Sequence, residues 1–405
     1  MDLSEQLLLV EFSCPAEPFD ESLFTAVGVQ HVQAVLEIFL SCFRAELTGC
    51  VGVTEKLEEI ITSEPDFNAV WSPAVSTCFR ATSLRNSSLA RKAAAEVLLQ
   101  AAAHGVQGGW EIEFAKPGLF LWDACLLPKC DYLSVNTVGE TASVITRGAG
   151  AESRVLFRRA SDEAAKWVGD GGESLASLST EDGPVVFLPR GILNPSDLDG
   201  FHNDLTPAPE IISPVPAAVE GAFNLLKSSS PVYSKWVSRV IRRVAVAGSA
   251  AKNYLQSGMV PRACGLAFMT DRQDVLSQAE TLVHEASHNY FYLLSTLGTT
   301  VDPASDELYY SPFARVMRGL ERVLSSYHAF ANVYLFHRDC RDALPDYQQV
   351  CTERMSSILE DLRTVEECIK GSKRLTPAGT VLVERLSREL HNQPSVRAPR
   401  LPLPG

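Results

Sequence analysis

The pattern of apolar and polar residues predicts helices at the start of the chain. Apolar residues recur near helical spacing from Phe24 to Leu47, and the Ala- and Leu-rich stretch from Ser88 to His104 is strongly helix-forming. Asn86 stands where an N-cap is expected, and Gly105 where the second helix would stop. The first part of the chain therefore reads as mostly helical.

The pattern changes after this helical region. From Trp110 to Tyr132, short runs are divided by prolines and a glycine, which indicates strands and turns. Residues 133–205 contain short apolar or β-branched segments separated by several glycines. This middle segment is predicted to be rich in strands or loops.

Helical spacing returns after Pro214. Ala217–Leu226 and Ser234–Ala251 are predicted helices, and Cys264–Met269 is a predicted strand. The expected fold class is α+β, predominantly α-helical, with a helical metal-binding region near the C-terminus. The expected organisation is a mostly helical region 1–132, a β- or loop-rich middle 133–205, a helical catalytic region 206–393 and a flexible tail 394–405.

A further predicted helix, which follows the Cys264–Met269 strand, carries the candidate chemistry. Apolar residues from Val275 to Leu297 recur at steps of three and four and form one buried stripe. Thr270 and Gln273 have the spacing of a capping box, which places the helix start there. The stripe is expected to face the core.

On the flank of this stripe lies a His-Glu-X-X-His motif. Residues four apart on a helix share a face, so the imidazoles of His284 and His288 can bind one metal ion, with Glu285 between them. Two imidazoles do not complete a metal centre, because structural and catalytic sites both need a third protein ligand. The third ligand decides the chemistry.

Four residues downstream are considered for the third ligand: Asp306, Glu307, His328 and His337. A further helix is predicted from about Pro312, and His328 lies on its apolar stripe. Glu307 follows His288 by a separation compatible with a zinc peptidase, although its acidic surroundings indicate a turn. His337 lies near the end of that helix and shows no special pattern. Asn332, one turn beyond His328, is a candidate polar partner of the site.

Composition narrows the function classes. The formal net charge of −13 does not favour nucleic acid, which requires clusters of Lys and Arg. Ten cysteines are scattered without a Cys-X-X-Cys pair, which is typical of buried thiols. No apolar run has the length of a membrane span. We expect a cytoplasmic protein; the sequence gives no oligomeric state.

Part of the chain resembles a known family. Ala279–His288, the Tyr309–Phe313 segment with its Tyr-Ser-Pro-Phe sequence, and Arg318 are similar to the 2-oxoglutarate-dependent HExxH-type peptide β-hydroxylases of bacterial peptide-modification clusters. The similarity covers roughly Cys264 to His337. This chain departs from the family pattern at Ala314, and the family's helix histidine aligns near Ser325, one turn before His328.

The resemblance implies an oxygenase that uses Fe(II) and 2-oxoglutarate to hydroxylate a β-carbon of a ribosomally made precursor peptide. His284, His288 and His328 would bind the iron, and Glu285 would support the site. Arg318 would bind the distal carboxylate of the co-substrate, since the guanidinium fork suits bidentate recognition. Two alternatives remain: a zinc metallopeptidase with Glu285 as general base, and a peptide-binding scaffold without catalysis.

Overall fold

A computed structural model describes residues 10–15, 21–63, 73–159, 167–170, 173–180, 183–188, 205–206, 217–249, 264–270 and 274–391. The expected tail 394–405 lies outside the described residues. The helices are α1 (Glu21–Leu47), α2 (Val53–Thr62), α3 (Pro73–Leu84), α4 (Ser87–Ala103), α5 (Ala217–Ser229), α6 (Pro231–Val240), α7 (Val275–Leu297), α8 (Leu320–Ala343), α9 (Gln348–Gly371) and α10 (Pro377–His391).

The strands are short except in the middle of the chain. They are β1 (Gly108–Gly118), β2 (Leu121–Trp122), β3 (Cys125–Leu126), β4 (Cys130–Val138), β5 (Thr141–Gly148), β6 (Ala151–Arg159), β7 (Trp167–Asp170), β8 (Glu173–Ser174), β9 (Ser177–Thr180), β10 (Gly183–Leu188), β11 (Leu205–Thr206), β12 (Arg243–Ser249), β13 (Leu266–Thr270), β14 (Leu308–Ser311) and β15 (Val316–Gly319). The expected α+β class with a predominance of helix and a helical C-terminal region is confirmed.

The early helices form where the spacing predicts them. Helix α1 covers the predicted Phe24–Leu47 stretch, and α4 covers the Ala- and Leu-rich stretch. The Asn86 side chain accepts a hydrogen bond from the backbone N–H of Leu89 at 3.1 Å, so the predicted N-cap is confirmed.

The chain divides into two compact units, each made of separate stretches of sequence. The sheet-containing unit comprises Asp20–Phe223 and Val237–Gln278. The helical unit comprises Met1–Phe19, Asn224–Trp236 and Ala279–Gly405. We describe each unit separately.

The sheet-containing unit has two larger sheets. Strands β1, β4, β5, β6 and β7 form an antiparallel sheet in the order β1-β4-β5-β6-β7. The second sheet has the order β11-β12-β10-β9, and β13 pairs with β12. Strand β12 lies parallel to both β10 and β13. Leu188, Ala245 and Phe268 from these parallel strands belong to one buried apolar cluster, which fixes the sheet against its surroundings.

The helical unit is built around α7, α8 and α9. Helices α8 and α9 pack along each other and are joined by a short 3₁₀ turn, Pro345–Tyr347. Trp236 stacks on Tyr290 of α7 with ring centroids 4.2 Å apart. The Tyr290 hydroxyl donates to the Trp236 carbonyl at 3.0 Å, so both the ring and its polar tip are satisfied in the core.

The start of α10 closes tightly on the segment that follows α7. A Cβ atom added at Gly379 would lie 2.1 Å from the carbonyl oxygen of Thr300. The backbone N–H of Thr376 donates to the same carbonyl at 3.2 Å, and Val301 forms a β-bridge with Leu375. Only glycine at position 379 permits this approach of the two backbones.

One predicted helix is only partly correct. Ser234–Ala251 was expected to be helical throughout, but α6 ends at Val240 and β12 begins at Arg243. A strand buried between two parallel neighbours carries a continuous apolar run, and such a run cannot be distinguished from a buried helix by its spacing. The continuous apolar run Val244–Ala247 belongs to this strand.

The helix predicted from Pro312 is also wrong at its start. Strands β14 and β15 form a hairpin there, with Tyr310 paired to Met317, and α8 begins only at Leu320. Arg315, in the turn, has φ 55°. Val316 and Met317 have helical spacing to later apolar residues, but their partners lie across the hairpin, which linear spacing cannot reveal.

Among the described residues, one helical stretch, Phe24–Leu47, is long and apolar enough to cross a membrane by length and composition. About half of its most apolar window, 44%, is buried inside the protein, and core helices pass the same test. Leu36 and Phe39 in this stretch are fully buried against the protein.

Candidate metal centre

Helix α7 positions the motif through its buried stripe. Leu282, Val283, Ala286, Leu293 and Leu294 are fully buried, as the spacing predicts. The predicted capping box is wrong, because the backbone of Thr270 is part of strand β13.

The cap of α7 is Asp274. Its side chain accepts a hydrogen bond from the backbone N–H of Ser277 at 3.0 Å. This is the N-cap interaction that satisfies an otherwise free donor of the first turn.

The two motif histidines converge. The Nε2 atoms of His284 and His288 are 3.0 Å apart, and the ring centroids are 4.6 Å apart with the rings nearly perpendicular. Both residues are half-buried. The helix geometry therefore directs the same nitrogen of each ring to one point, as two ligands of one metal ion require.

The environment keeps both rings neutral. Burial lowers the pKa of His284 to about 4. Burial, and next the neighbouring His284 ring, lower the pKa of His288 well below its ordinary value. A neutral imidazole is the form that binds a metal, so neither ring must lose a proton at neutral pH.

A serine on the neighbouring helix orients His288. The Nδ1 atom of His288 lies 3.0 Å from Oγ of Ser325 on α8. When Nδ1 donates its hydrogen to this hydroxyl, Nε2 presents a lone pair towards His284. The role of Ser325 was not predicted from the sequence.

Aromatic rings close one side of the pair. The ring of Phe330 on α8 packs edge-on against His284, with centroids 5.0 Å apart. Phe313, from the turn between β14 and β15, stacks on Phe330 at 3.9 Å between centroids. The Tyr-Ser-Pro-Phe segment is thereby connected to the histidine pair, and Phe330 is a member of the site that the sequence did not indicate.

Glu285 lies between the two histidines on α7, one residue after His284 and three before His288. Its side chain is fully buried, whereas His284 and His288 are half-buried. Residues three apart on a helix share a face, so Glu285 lies on the same side of α7 as His288. This placement is compatible with either role expected for Glu285, a general base or a supporting group.

His328 makes different contacts. It is fully buried, and its Nε2 atom donates to the backbone carbonyls of Phe12 and Ser13, at 2.9 Å and 2.8 Å. Burial lowers the pKa of His328 to about 4, opposed by these backbone hydrogen bonds. The structure therefore engages this ring with the N-terminal backbone and does not direct its Nε2 atom to the histidine pair.

Asn332 and Glu307 are also engaged within the protein. The Asn332 amide nitrogen donates to the carbonyls of Ser13 and His328, each at 2.9 Å, and its oxygen accepts from the Tyr233 hydroxyl at 2.9 Å. Both amide hydrogens are thus used, which favours a structural role. Glu307 is exposed and accepts hydrogen bonds from Tyr309 and Arg374.

Arg318, the predicted co-substrate ligand, lies in β15 opposite Tyr309 and is half-buried. It precedes the first residue of α8 by two positions, so it belongs to the hairpin and not to the helix that carries Ser325 and Phe330.

Within the part of the chain that the structure describes, no group of three or more His, Cys, Asp or Glu side chains is placed to hold a metal ion. The described residues therefore supply two converging ligands, His284 and His288. No protein-family model matches this chain, and a search of curated proteins finds no match either.

Proposed function

We propose that this protein is an Fe(II)- and 2-oxoglutarate-dependent oxygenase that hydroxylates the β-carbon of a residue in a ribosomally made peptide. The observation that carries the proposal is the convergence of the motif histidines: the Nε2 atoms of His284 and His288 lie 3.0 Å apart. This arrangement supports the binding of one metal ion by the two histidines, and the choice of an oxygenase rests on the resemblance to the peptide β-hydroxylases.

The chemical nature of the donors supports this metal. Imidazole suits iron as well as zinc, and a centre with few protein ligands leaves positions for co-substrate and oxygen. His284 and His288 would hold the iron, which together with 2-oxoglutarate supplies the oxygen-activating chemistry. Nε2 of His328 is engaged by the Phe12 and Ser13 carbonyls, so His328 would join them through its other ring nitrogen, Nδ1, or by turning away from those carbonyls.

Neighbouring side chains have supporting roles in the proposal. Ser325 fixes the ring of His288, and Phe330 and Phe313 exclude water from one side of His284. Arg318 remains the proposed partner of the distal carboxylate of 2-oxoglutarate, because it lies in the same hairpin whose turn contacts Phe330.

The proposal is tested by anaerobic reconstitution with Fe(II) and 2-oxoglutarate in the presence of a candidate precursor peptide. On exposure to O2 we expect succinate to form and the peptide to become heavier by one oxygen atom. The matched control is His284→Ala, which should give neither product, alongside His391→Ala, a largely exposed histidine on α10 that should react as the unaltered protein does.

Other outcomes identify the alternatives. Peptide cleavage that depends on zinc and disappears in Glu285→Gln, without loss of bound metal, would establish a metallopeptidase and overturn the oxygenase. Tight peptide binding by a protein that takes up neither iron nor zinc would establish a non-catalytic scaffold.

A further inference from the structure

The hairpin of β14 and β15 exposes apolar side chains to solvent. In the described part of the chain ten large apolar side chains are exposed, and four of them lie in this one hairpin: Leu308, Tyr310, Val316 and Met317. Leu308 and Tyr310 point to one face of β14, and Met317 pairs with Tyr310 on the same face. These three side chains are the hairpin patch, and a contiguous apolar patch of this kind is typical of an interaction site.

Strand β15 is an open edge of the hairpin. Among the described residues its only strand partner is β14, whereas β14 is attached to the end of α9, where the Tyr309 hydroxyl lies 3.1 Å from the Ser372 hydroxyl. Val316 and Met317 are neighbours and so point to opposite faces, yet they are exposed by 48% and 55%. Solvent therefore reaches both faces of β15, and the backbone groups on its outer edge are accessible to a further strand.

The hairpin is basic within an acidic protein. Residues 308–319 contain Arg315 and Arg318 and no acidic residue, whereas the whole chain has a formal net charge of −13. Neither arginine is paired with a carboxylate within the described stretches of the chain. Glu307, before the hairpin, is paired with Arg374, and Glu321, after it, lies in the first turn of α8, where the helix dipole compensates a negative charge. The hairpin therefore favours a partner with carboxylates.

The turn of the hairpin contacts the candidate metal centre. Phe313 stacks on Phe330 with centroids 3.9 Å apart, and Phe330 packs against His284 at 5.0 Å between centroids. Because β15 begins just after this turn, a strand that lies along β15 has one end beside these aromatic rings. That position suits a surface that holds a substrate near the histidine pair.

A second copy of this chain is a poor occupant of the patch. Two hairpins related by two-fold symmetry would bring Arg315 and Arg318 of both copies to the same interface. Like charges that face each other across paired strands are destabilising. An acidic segment instead gains from the same two arginines.

We propose that the β14–β15 hairpin binds an extended acidic segment of a peptide, which adds to β15 as a third strand. The backbone of this segment hydrogen-bonds to the outer edge of β15, and alternate side chains contact the hairpin patch. The carboxylates between them lie on the opposite face, which carries Arg318. That this segment belongs to the hydroxylated peptide rests on the proposed function, but binding of the strand requires neither iron nor 2-oxoglutarate.

The probe is a fluorescein-labelled peptide of alternating Glu and Val residues, and fluorescence anisotropy measures its binding to the metal-free full chain. We expect saturable binding that weakens as the salt concentration rises, because salt screens exposed charges. The matched peptide with Lys in place of Glu should bind at least about 10-fold more weakly, since it brings like charges to the hairpin arginines.

N-methylated forms of the probe test the addition of a strand. The backbone N–H groups of alternate residues point to the same edge of a strand, so methylation of every second residue blocks one edge and leaves the other free. Methylation of one of the two alternate sets should weaken binding at least about 10-fold, because several hydrogen bonds are lost together. Methylation of the other set should leave binding unchanged. Equal affinities of the two methylated peptides would contradict a third strand.

Two variants test the side chains of the hairpin. Met317→Glu places a negative charge in the patch, so binding of the acidic probe should weaken at least about 10-fold. Val350→Glu, at a comparably exposed apolar position of α9, is its control. Arg315→Asn removes one charge with a residue that tolerates φ 55°, and binding should weaken about 3-fold. The exposed Arg363→Gln on α9 should have no effect, and circular dichroism verifies that each variant is folded.

Unchanged binding in folded Met317→Glu, or equal binding of the Glu and Lys peptides, would overturn the proposal. Self-association that Met317→Glu abolishes, in a protein that does not bind the probe, would assign the hairpin to a dimer interface instead. The proposed function fails separately. His284→Ala should bind the probe as the unaltered protein does, and a protein that binds the probe but forms no succinate would keep the peptide-binding hairpin and lose the oxygenase.

Discussion

Helix α7 carries two polar clusters, one turn apart, that differ in how their side chains are satisfied. At Glu280 the carboxylate is bound by Arg354 and His337 from two other helices. At His284 and His288 two neutral ring nitrogens are hydrogen-bonded to each other, and Ser325 engages the outer nitrogen of His288. The Glu280 cluster is balanced by opposite charges, whereas a metal ion can replace the shared hydrogen between the two imidazoles and bind both of them.

The largest expected effect is on the affinity of the His284 and His288 pair for a metal ion. Replacing His284 by Ala removes one of the two converging ligands, so the affinity for Fe(II) or Zn(II) should fall by at least about 1,000-fold, more than the 10–100-fold typical of an outer partner. Isothermal titration of the metal-free protein measures it. His391→Ala is the control, and an unaltered affinity in His284→Ala would place the metal elsewhere.

The second expected effect is on the stability of the folded protein, through the cluster of Glu280, His337 and Arg354. Glu280→Ala leaves His337 and Arg354 without their anion, and we expect the free energy of unfolding to fall by about 3 kcal/mol, at the lower end for a broken buried pair since Arg354 is partly exposed. Urea denaturation measures this change.

The matched control for Glu280→Ala is Glu58→Ala, which removes an exposed pair with Arg44 and should change stability by less than about 0.5 kcal/mol. Equal effects of the two substitutions would mean that the Glu280 cluster contributes no more than a surface ion pair.

The buried histidines make stability depend on pH. Burial lowers the pKa of His328 from its ordinary 6.5 to about 4, so between these values the unfolded chain binds a proton that the folded protein does not. Unfolding therefore becomes easier as pH falls, by about 2 kcal/mol for this one group between pH 7 and pH 5.

Comparing His328→Gln with the unaltered protein isolates this contribution. The glutamine amide can still donate to the Phe12 carbonyl but does not titrate, so the difference in urea midpoint between pH 7 and pH 5 should shrink. His391→Gln should keep the original difference, and an equally steep pH dependence in His328→Gln would count against the burial argument.

The smallest expected effect concerns Ser325, the hydrogen-bond partner of His288. Ser325→Ala removes the acceptor for Nδ1 of His288, and the metal affinity should fall about 10-fold. Ser325→Thr keeps the hydroxyl and should restore most of it. A loss as large in Ser325→Thr as in Ser325→Ala would show that packing, and not the hydrogen bond, holds the ring.

Local patterns predicted the elements that depend on local spacing. The stripe of α7 and the shared face of His284 and His288 follow from residues within one helix, and so does the Asn86 cap. The Ser325 and Phe330 contacts lie 37 or more residues along the chain from the histidines they touch, and their formation depends on how α7 packs against α8. Periodicity contains no information on that packing.

The two wrong helix predictions also result from contacts between residues that are far apart in the sequence. The helix expected from Pro312 is a hairpin because Tyr310 pairs with Met317 across a turn, and the helix expected over Ser234–Ala251 ends because β12 is enclosed by two strands distant in sequence. His328 shows the limit for single residues: its place on the apolar stripe was foreseeable, whereas the carbonyls of Phe12 and Ser13 that engage it were not.

The contact at Gly379 has a consequence for how this chain can diverge. Since a Cβ there would overlap the Thr300 carbonyl, every sequence that keeps this join between α10 and the segment after α7 must keep a glycine at that position. Thr300 contributes its backbone carbonyl to this contact, and its side chain is itself buried. An invariant glycine aligned with position 379 would therefore mark sequences that share this architecture, even where the histidine motif has been lost.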